Sequence, residues 1–323
     1  MHVPAHDLPF PESISPAARA FLTQTATAGL GHTADGAPRV APSADSITAI
    51  DHALAAMIEP QAAQSEARVE TTTMNGVTVH VAARNEATAA ERQKMHLHIH
   101  GGAFIYGRGA LAKYRAQIWA RAYGGTVVSV DYRMPPADPF PAAPDDCLAA
   151  YRAVIEQAEP GKVLVSGDSA GGTLAAVLML KARDAGLPPP AALYLNTPLT
   201  DFAVQGDSRN VNAYADVVLS AGLGMLPLYT AGHDLRDPYL SPMQGDVSRG
   251  FPPTYLRTGT RDLFLSDTVR LHAALRKAGV AADLYVGEGM PHGGFASGTL
   301  DSRVPEQIAA EDDVKRWLAI HWR

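Results

Sequence analysis

A single cysteine, Cys147, occurs in 323 residues. No internal disulfide can therefore brace the fold, and no cysteine-based metal cluster can form. Its surroundings, Pro144 to Tyr151, follow a helical pattern, which marks Cys147 as a small core residue rather than a nucleophile. Long apolar runs are also missing, and none approaches the ~18 residues needed to cross a bilayer. Positive charge is scarce. Lys and Arg number 27 against 33 Asp and Glu, a net charge of -6, and no basic cluster offers a footprint for nucleic acid. Met1 to Pro9 show neither the basic stretch nor the apolar segment of a secretory signal, so the expectation is a soluble, cytoplasmic protein. Repeats and low-complexity tracts are absent. What remains is an ordinary globular composition, 46% hydrophobic and 19% charged, long enough for one large α/β domain or two small ones.

The chain changes character along its length. Residues 1–65 are rich in Ala, Pro and Thr and lack strand signals. Two helical patterns stand there, near 15–28 and 43–58, with Ser15-Pro16 and Ser43 as plausible N-caps. Asn75-Gly76 between apolar-alternating segments then predicts a tight hairpin. From residue 95 onward, short apolar runs alternate with helical patterns. Strands are predicted at 95–100, 126–131, 163–166, 191–195, 254–258 and 282–286, and a final helix at 304–321. An antiparallel start followed by strand–helix alternation argues for a mostly parallel sheet covered on both faces. The alternation stops between Asp201 and Asp237. That stretch reads as a helical insertion leaving the end of a strand, where active-site loops of such sheets lie, and a lid is favoured over a plain surface excursion.

Chemistry concentrates at Gly167-Asp168-Ser169-Ala170-Gly171, a G-x-S-x-G run that follows a predicted strand and opens a predicted helix. This is the sequence form of a nucleophile elbow. Side chains two before and two after the serine would collide with the neighbouring strand and helix. The helix N-terminus beside the serine favours negative charge. Upstream, His100-Gly101-Gly102-Ala103-Phe104 ends a strand, and residues without side chains there let backbone N–H groups approach a ligand closely. Acyl transfer needs such donors for its oxyanion, and the elbow itself points to the Ala170 N–H as one.

A general base must come from twelve histidines. His292, in a loop after the last predicted strand, falls in the chain order Ser, then Asp or Glu, then His. His96, His98 and His100 share one strand face, but no carboxylate or cysteine joins them at ligand spacing. His98 reads as a core histidine and His100 as the residue that holds the glycine loop. The acid is to be found after the strand at 254–258, where Asp262 and Asp267 compete. Asp262 lies in the turn itself and is favoured. Asp267 opens the following helix, a place where a carboxylate is commonly an N-cap.

Taken together, these motifs resemble the bacterial hormone-sensitive-lipase-like esterases of the α/β-hydrolase superfamily. His100-Gly101-Gly102-Ala103-Phe104 matches the HGGG-F segment, and Asp131-Tyr132-Arg133-Met134-Pro135-Pro136 with Pro139-Phe140-Pro141-Ala142-Ala143 matches the DYR…PAA stretch. Gly167 to Gly172 is the GDSAGG elbow. The resemblance spans about residues 70–320. It implies an α/β-hydrolase fold, with a mostly parallel eight-stranded sheet flanked by helices and a helical cap. Residues 1–65 and about 201–240 would form that cap, and 66–323 the catalytic domain. It implies Ser169, Asp262 and His292 as catalytic residues and the N–H groups of Gly101, Gly102 and Ala170 as the oxyanion hole, with no cofactor and no metal. Three departures stand out: Ala103 in place of a third glycine, Asp262-Leu263-Phe264 in place of D-P-L, and a doubled glycine after His292.

The expected activity is hydrolysis of short- to medium-chain carboxylic esters through an acyl-serine. Lactone hydrolysis by the same mechanism is the alternative. An amidase or peptidase, and a non-catalytic ligand-binding protein on the same fold, are lesser ones. The expected partner is a small-molecule ester or lactone, with a homodimer left open.

Overall fold

The computed structural model describes residues 8–27, 43–219, 223–295 and 304–323. Two helices come first, α1 (Pro16–Thr27) and α2 (Ala44–Ala63). Each starts on a serine that caps it: Ser15 Oγ accepts from the Ala18 N–H and Ser43 Oγ from the Ser46 N–H. The hairpin of β1 (Ala67–Met74) and β2 (Val77–Arg84) turns on Asn75 and Gly76, both at positive φ (46° and 84°). That is the combination a two-residue turn with right-handed strand twist requires.

The remaining elements alternate: α3 (Ala89–Arg92), β3 (Met95–Ile99), α4 (Ala110–Tyr123), β4 (Thr126–Val130), α5 (Ala142–Gln157), β5 (Val163–Asp168), α6 (Ala170–Asp184) and β6 (Ala192–Asn196). After two short helices, α7 (Ser208–Val211) and α8 (Leu226–Thr230), come β7 (Thr254–Gly259), α9 (Leu265–Lys277), β8 (Ala282–Gly287) and α10 (Pro305–His321). The eight strands form one sheet in the order β1-β2-β4-β3-β5-β6-β7-β8, with β2 antiparallel to both neighbours and the rest parallel.

Each face of the sheet has its own core. Leu174, Leu178, Cys147, Tyr151 and Leu271 of α5, α6 and α9 cover one, and Trp119, Val314 and Trp317 of α4 and α10 cover the other. The connection from β3 runs to α4 on one face, and that from β5 to α6 on the opposite face. β3 and β5 are nevertheless neighbours in the sheet. A crevice therefore opens at their carboxyl ends, the position where open α/β sheets bind ligands.

The stretch after β6 departs from the predicted helical insertion. Outside the two short helices it is built of turns, and residues 220–222 of it lie outside the described residues. The cause is local competition for the backbone. Asp201 accepts from the N–H groups of Ala203 and Val204, Asp216 from Val218 and Leu219, Asp234 from Arg236 and Asp237 from Tyr239. Each aspartate thus replaces a helical hydrogen bond with an Asx turn.

At the crossing of β3 and α6 two backbones meet with no room for a side chain. A Cβ on Gly171 would lie 2.0 Å from the Ile99 carbonyl oxygen, and one on Gly167 would lie 2.1 Å from that of Gly171. Gly171→Ala should therefore lower stability by about 3 kcal/mol or more in urea denaturation. Gly161→Ala, where an added Cβ meets nothing within 4 Å, is the control, and equal stability of the two variants would contradict this packing.

Candidate active site

The crevice between β3 and β5 brings together residues that are far apart in the chain. Ser169 sits between β5 and α6 at φ 53° and ψ -120°, a conformation that non-glycine residues seldom occupy. The glycine contacts at the β3–α6 crossing leave the turn no room to relax. Ser169 Oγ lies 2.8 Å from His292 Nε2, and His292 Nδ1 lies 3.0 Å from Asp262 Oδ1. Because the carboxylate can only accept, Nδ1 carries the proton and Nε2 is free to accept from the serine hydroxyl.

Asp262 is fully buried and held on both oxygens. Thr258 Oγ1 donates to Oδ2 at 2.6 Å and the Phe264 N–H to Oδ1 at 3.0 Å. Burial by itself would depress His292, but the Asp262 carboxylate, helped by Asp216 and Asp168, outweighs it and raises the imidazole above its usual value.

The competing carboxylate, Asp267, does not reach the histidine, nor does it cap α9. It accepts from the N–H groups of Thr200 and Asp201 and pairs with the Arg209 guanidinium at 3.0 Å, both side chains being buried. It fastens the segment after β6 to α9.

Sequence reasoning missed Asp216. Its carboxylate accepts from the His292 N–H at 3.3 Å and the Leu263 N–H at 2.8 Å, besides its own turn. Burial, and then the nearby Asp262 charge, push it up to about 6. Asn212 adds hydrogen bonds to the carbonyls of Thr260 and Asp262, and Ser208 one to that of Leu263. The first half of the segment after β6 therefore holds the loops that carry Asp262 and His292. An aspartate in a stretch without periodicity gives no sequence signal for this role.

Asp216, Asp262 and His292 place ligand atoms within 4.8 Å of one another, close enough for a metal ion. Those atoms are already engaged with each other, with Ser169 or with backbone N–H groups. The set is a closed hydrogen-bond network rather than an open coordination site.

The glycine loop after β3 lies directly against the elbow. A Cβ on Gly101 would be 3.2 Å from Ser169 Cβ and 2.7 Å from the Asp168 carbonyl. Among the described residues, the N–H groups of Gly101, Gly102 and Ala170 donate to no protein acceptor. His100 Nδ1 donates to the Gly101 carbonyl at 2.9 Å. His96 and His98 share Ser166 Oγ, at 2.6 and 3.1 Å, deep beneath the sheet's end. Burial holds His96 down to about 3, so it stays neutral. Phe104 stacks on Tyr229 with ring centroids 4.0 Å apart, which makes it part of the core.

This architecture has known counterparts. A family model described as alpha/beta hydrolase fold matches residues 96–296, which include the glycine loop, the elbow, Asp262 and His292. The chain belongs to the alpha/beta hydrolase family. It is 37% identical over 186 residues to an acetyl-hydrolase of Streptomyces hygroscopicus, a match covering 57% of this chain and 62% of that protein. The chain thus spans less than two thirds of that relative's length. A crystallised esterase superposes with a TM-score of 0.87 at 34% identity, covering 100% of this chain and 99% of that one. A hormone-sensitive lipase from a metagenome library superposes at 0.81 with 29% identity, covering 95% and 98%. The resemblance drawn from the motifs agrees with these neighbours. No helix among the described residues is long and apolar enough to cross a membrane.

Asp267→Asn removes one partner of the buried pair with Arg209 and should lower stability by about 3–5 kcal/mol in chemical denaturation. It should leave the His292 environment unchanged, read as the imidazole pKa by NMR. A stable Asp267→Asn protein with a shifted His292 would reverse the roles given to the two carboxylates.

Proposed function

We propose that the protein is a serine carboxylic ester hydrolase, with Ser169 as nucleophile, His292 as general base and acid, and Asp262 as the carboxylate that orients the histidine. The observation that carries this reading is the continuous relay Ser169–His292–Asp262 at 2.8 and 3.0 Å beside three backbone N–H groups that donate to no acceptor among the described residues.

In the first step, His292 Nε2 takes the Ser169 proton as Oγ attacks the ester carbonyl. The developing oxyanion would be met by the N–H groups of Gly101, Gly102 and Ala170. Fixed donors of this kind contribute several kcal/mol, since they need no reorganisation when charge appears. The imidazolium then gives its proton to the departing alcohol, leaving an acyl-serine. Water, deprotonated by the same histidine, attacks the acyl carbon, and the proton returns to Ser169 as the acid leaves. Asp262 holds the Nδ1–H tautomer and balances the imidazolium charge.

The substrate reading is a short- to medium-chain acyl ester, supported by the motif resemblance and by the acetyl-hydrolase among the relatives. The N-terminal helices and the segment after β6 would form a cap over the crevice. α1 packs with Val217, Met290 and Phe295 beside the histidine loop, and α2 lies along α4.

Ser169→Ala should reduce kcat on the order of 10⁶-fold with the fold intact. Asp262→Asn, which favours the wrong tautomer, should reduce it by about 10⁴-fold. For the parent protein, kcat/KM should fall tenfold per pH unit on the acid side of a pKa above 6.5, because only neutral His292 can accept the serine proton. A panel of p-nitrophenyl esters, lactones and anilides tests the substrate class. Acetyl to hexanoyl esters should be fastest, whereas faster anilide or lactone turnover would contradict the reading.

A further inference from the structure

Three successive carbonyls of the glycine loop are engaged by donors other than the elbow's backbone. Tyr132 Oη donates to the His100 carbonyl at 2.9 Å. Arg115 Nη1 donates to the Gly101 carbonyl at 3.0 Å, where the His100 ring also donates. The Gly102 carbonyl closes a turn, accepting from the N–H groups of Ile105 and Tyr106 at 3.0 and 2.8 Å. The loop is strained, with Ala103 and Phe104 both at positive φ (53° and 65°) after Gly102 at 132°. It cannot hold itself by regular secondary structure.

In a trans peptide, the carbonyl of one residue and the N–H of the next point in opposite directions from a single conjugated unit. The His100 carbonyl shares its amide with the Gly101 N–H, and the Gly101 carbonyl shares its amide with the Gly102 N–H. A donor on the carbonyl draws electron density toward oxygen and makes the N–H across the amide a stronger donor, an effect of roughly 10–30% per bond. A guanidinium does this about twice as strongly as a neutral group.

We propose that Tyr132 and Arg115 are positioning residues for ester hydrolysis, each fixing and polarising one of the two peptides whose N–H groups receive the oxyanion. Tyr132 acts on the Gly101 N–H and Arg115 on the Gly102 N–H. The proposal rests on the ester-hydrolase reading above. Both side chains are suited to it. Tyr132 lies flat on the His100 ring with centroids 4.3 Å apart, so its hydroxyl has one direction to point. Burial holds its phenol well above the ordinary range, so it stays a donor. Arg115 reaches the loop from α4. Satisfying a buried carbonyl takes one donor, yet the Gly101 carbonyl has two, one of them charged.

The test compares Tyr132→Phe, Arg115→Met and Arg115→Lys with the parent protein, after thermal melting has shown which are folded. Kinetics on p-nitrophenyl acetate are paired with inhibition by phenylboronic acid, which forms a tetrahedral adduct on a reactive serine. Tyr132→Phe and Arg115→Met should each lower kcat about tenfold, with KM within about twofold. The inhibition constant of the boronic acid should rise by the same factor, and Arg115→Lys should recover most of the loss. A folded Tyr132→Phe protein with the parent kcat would overturn the proposal, as would a fall in kcat without weaker boronate binding. If Arg115→Met does not fold, Tyr132→Phe and Arg115→Lys decide. Failure of the underlying reading looks different: the parent protein would then hydrolyse no ester that depends on Ser169.

Discussion

Where the first turn of α6 crosses the end of β3, two backbones touch with no side chain between them. Gly171 presses on the Ile99 carbonyl, and Gly167 packs under Gly171. Much of the site follows from this contact. It holds Ser169 in its positive-φ conformation and lifts its hydroxyl clear of the sheet. The N-terminus of α6 is brought beside the loop that leaves β3, so Gly101 lies against the Ser169 side chain. A bulkier residue at Gly171 would push α6 off β3, and one at Gly167 would push it off β5, and either would disperse the group. Close approach of backbones is thus converted into local strain, and the surrounding core, with α6 almost wholly buried, maintains it.

Charge around the histidine is arranged in a similar spirit. Three buried aspartates lie on or near the loop after β7 or the segment packed against it, and their partners separate their tasks. Asp262 faces the imidazole, Asp216 accepts backbone N–H groups from the histidine and acid loops, and Asp267 is neutralised by Arg209. Two carboxylates close to one imidazole raise its basicity, while burial opposes it. The result is an imidazole whose proton affinity depends on the segment after β6. Changes in that segment can therefore alter the chemistry without touching substrate.

Much of this was legible in the sequence because it is encoded locally. Asn75-Gly76 announces its turn through two residues that tolerate positive φ. The elbow announces itself through glycines spaced to permit one close approach. The alternation of short apolar runs with helical patterns specifies a parallel sheet, and the order of motifs places Asp262 and His292 after the last strands. Features that depend on distant partners were not legible. Nor was one piece of local turn chemistry: the stretch from Asp201 to Asp237 reads as a helical insertion, but its aspartates bind their own following N–H groups and turn the chain. Asp216, Arg115 and Tyr132 act on backbone groups far away in sequence, and residue type alone does not show that. Asp267 stands where an N-cap is expected, but its partner is an arginine that only the fold brings near.

The central claim is that the strained serine at the β5–α6 turn is the group that becomes acylated. The most direct measurement is mass spectrometry of the protein after reaction with a p-nitrophenyl alkylphosphonate, with the modified peptide mapped by fragmentation. The account predicts one stoichiometric phosphonyl group on Ser169, release of one equivalent of p-nitrophenol, and complete loss of ester hydrolysis. A label on any other residue, or full ester turnover by protein phosphonylated at Ser169, would contradict it.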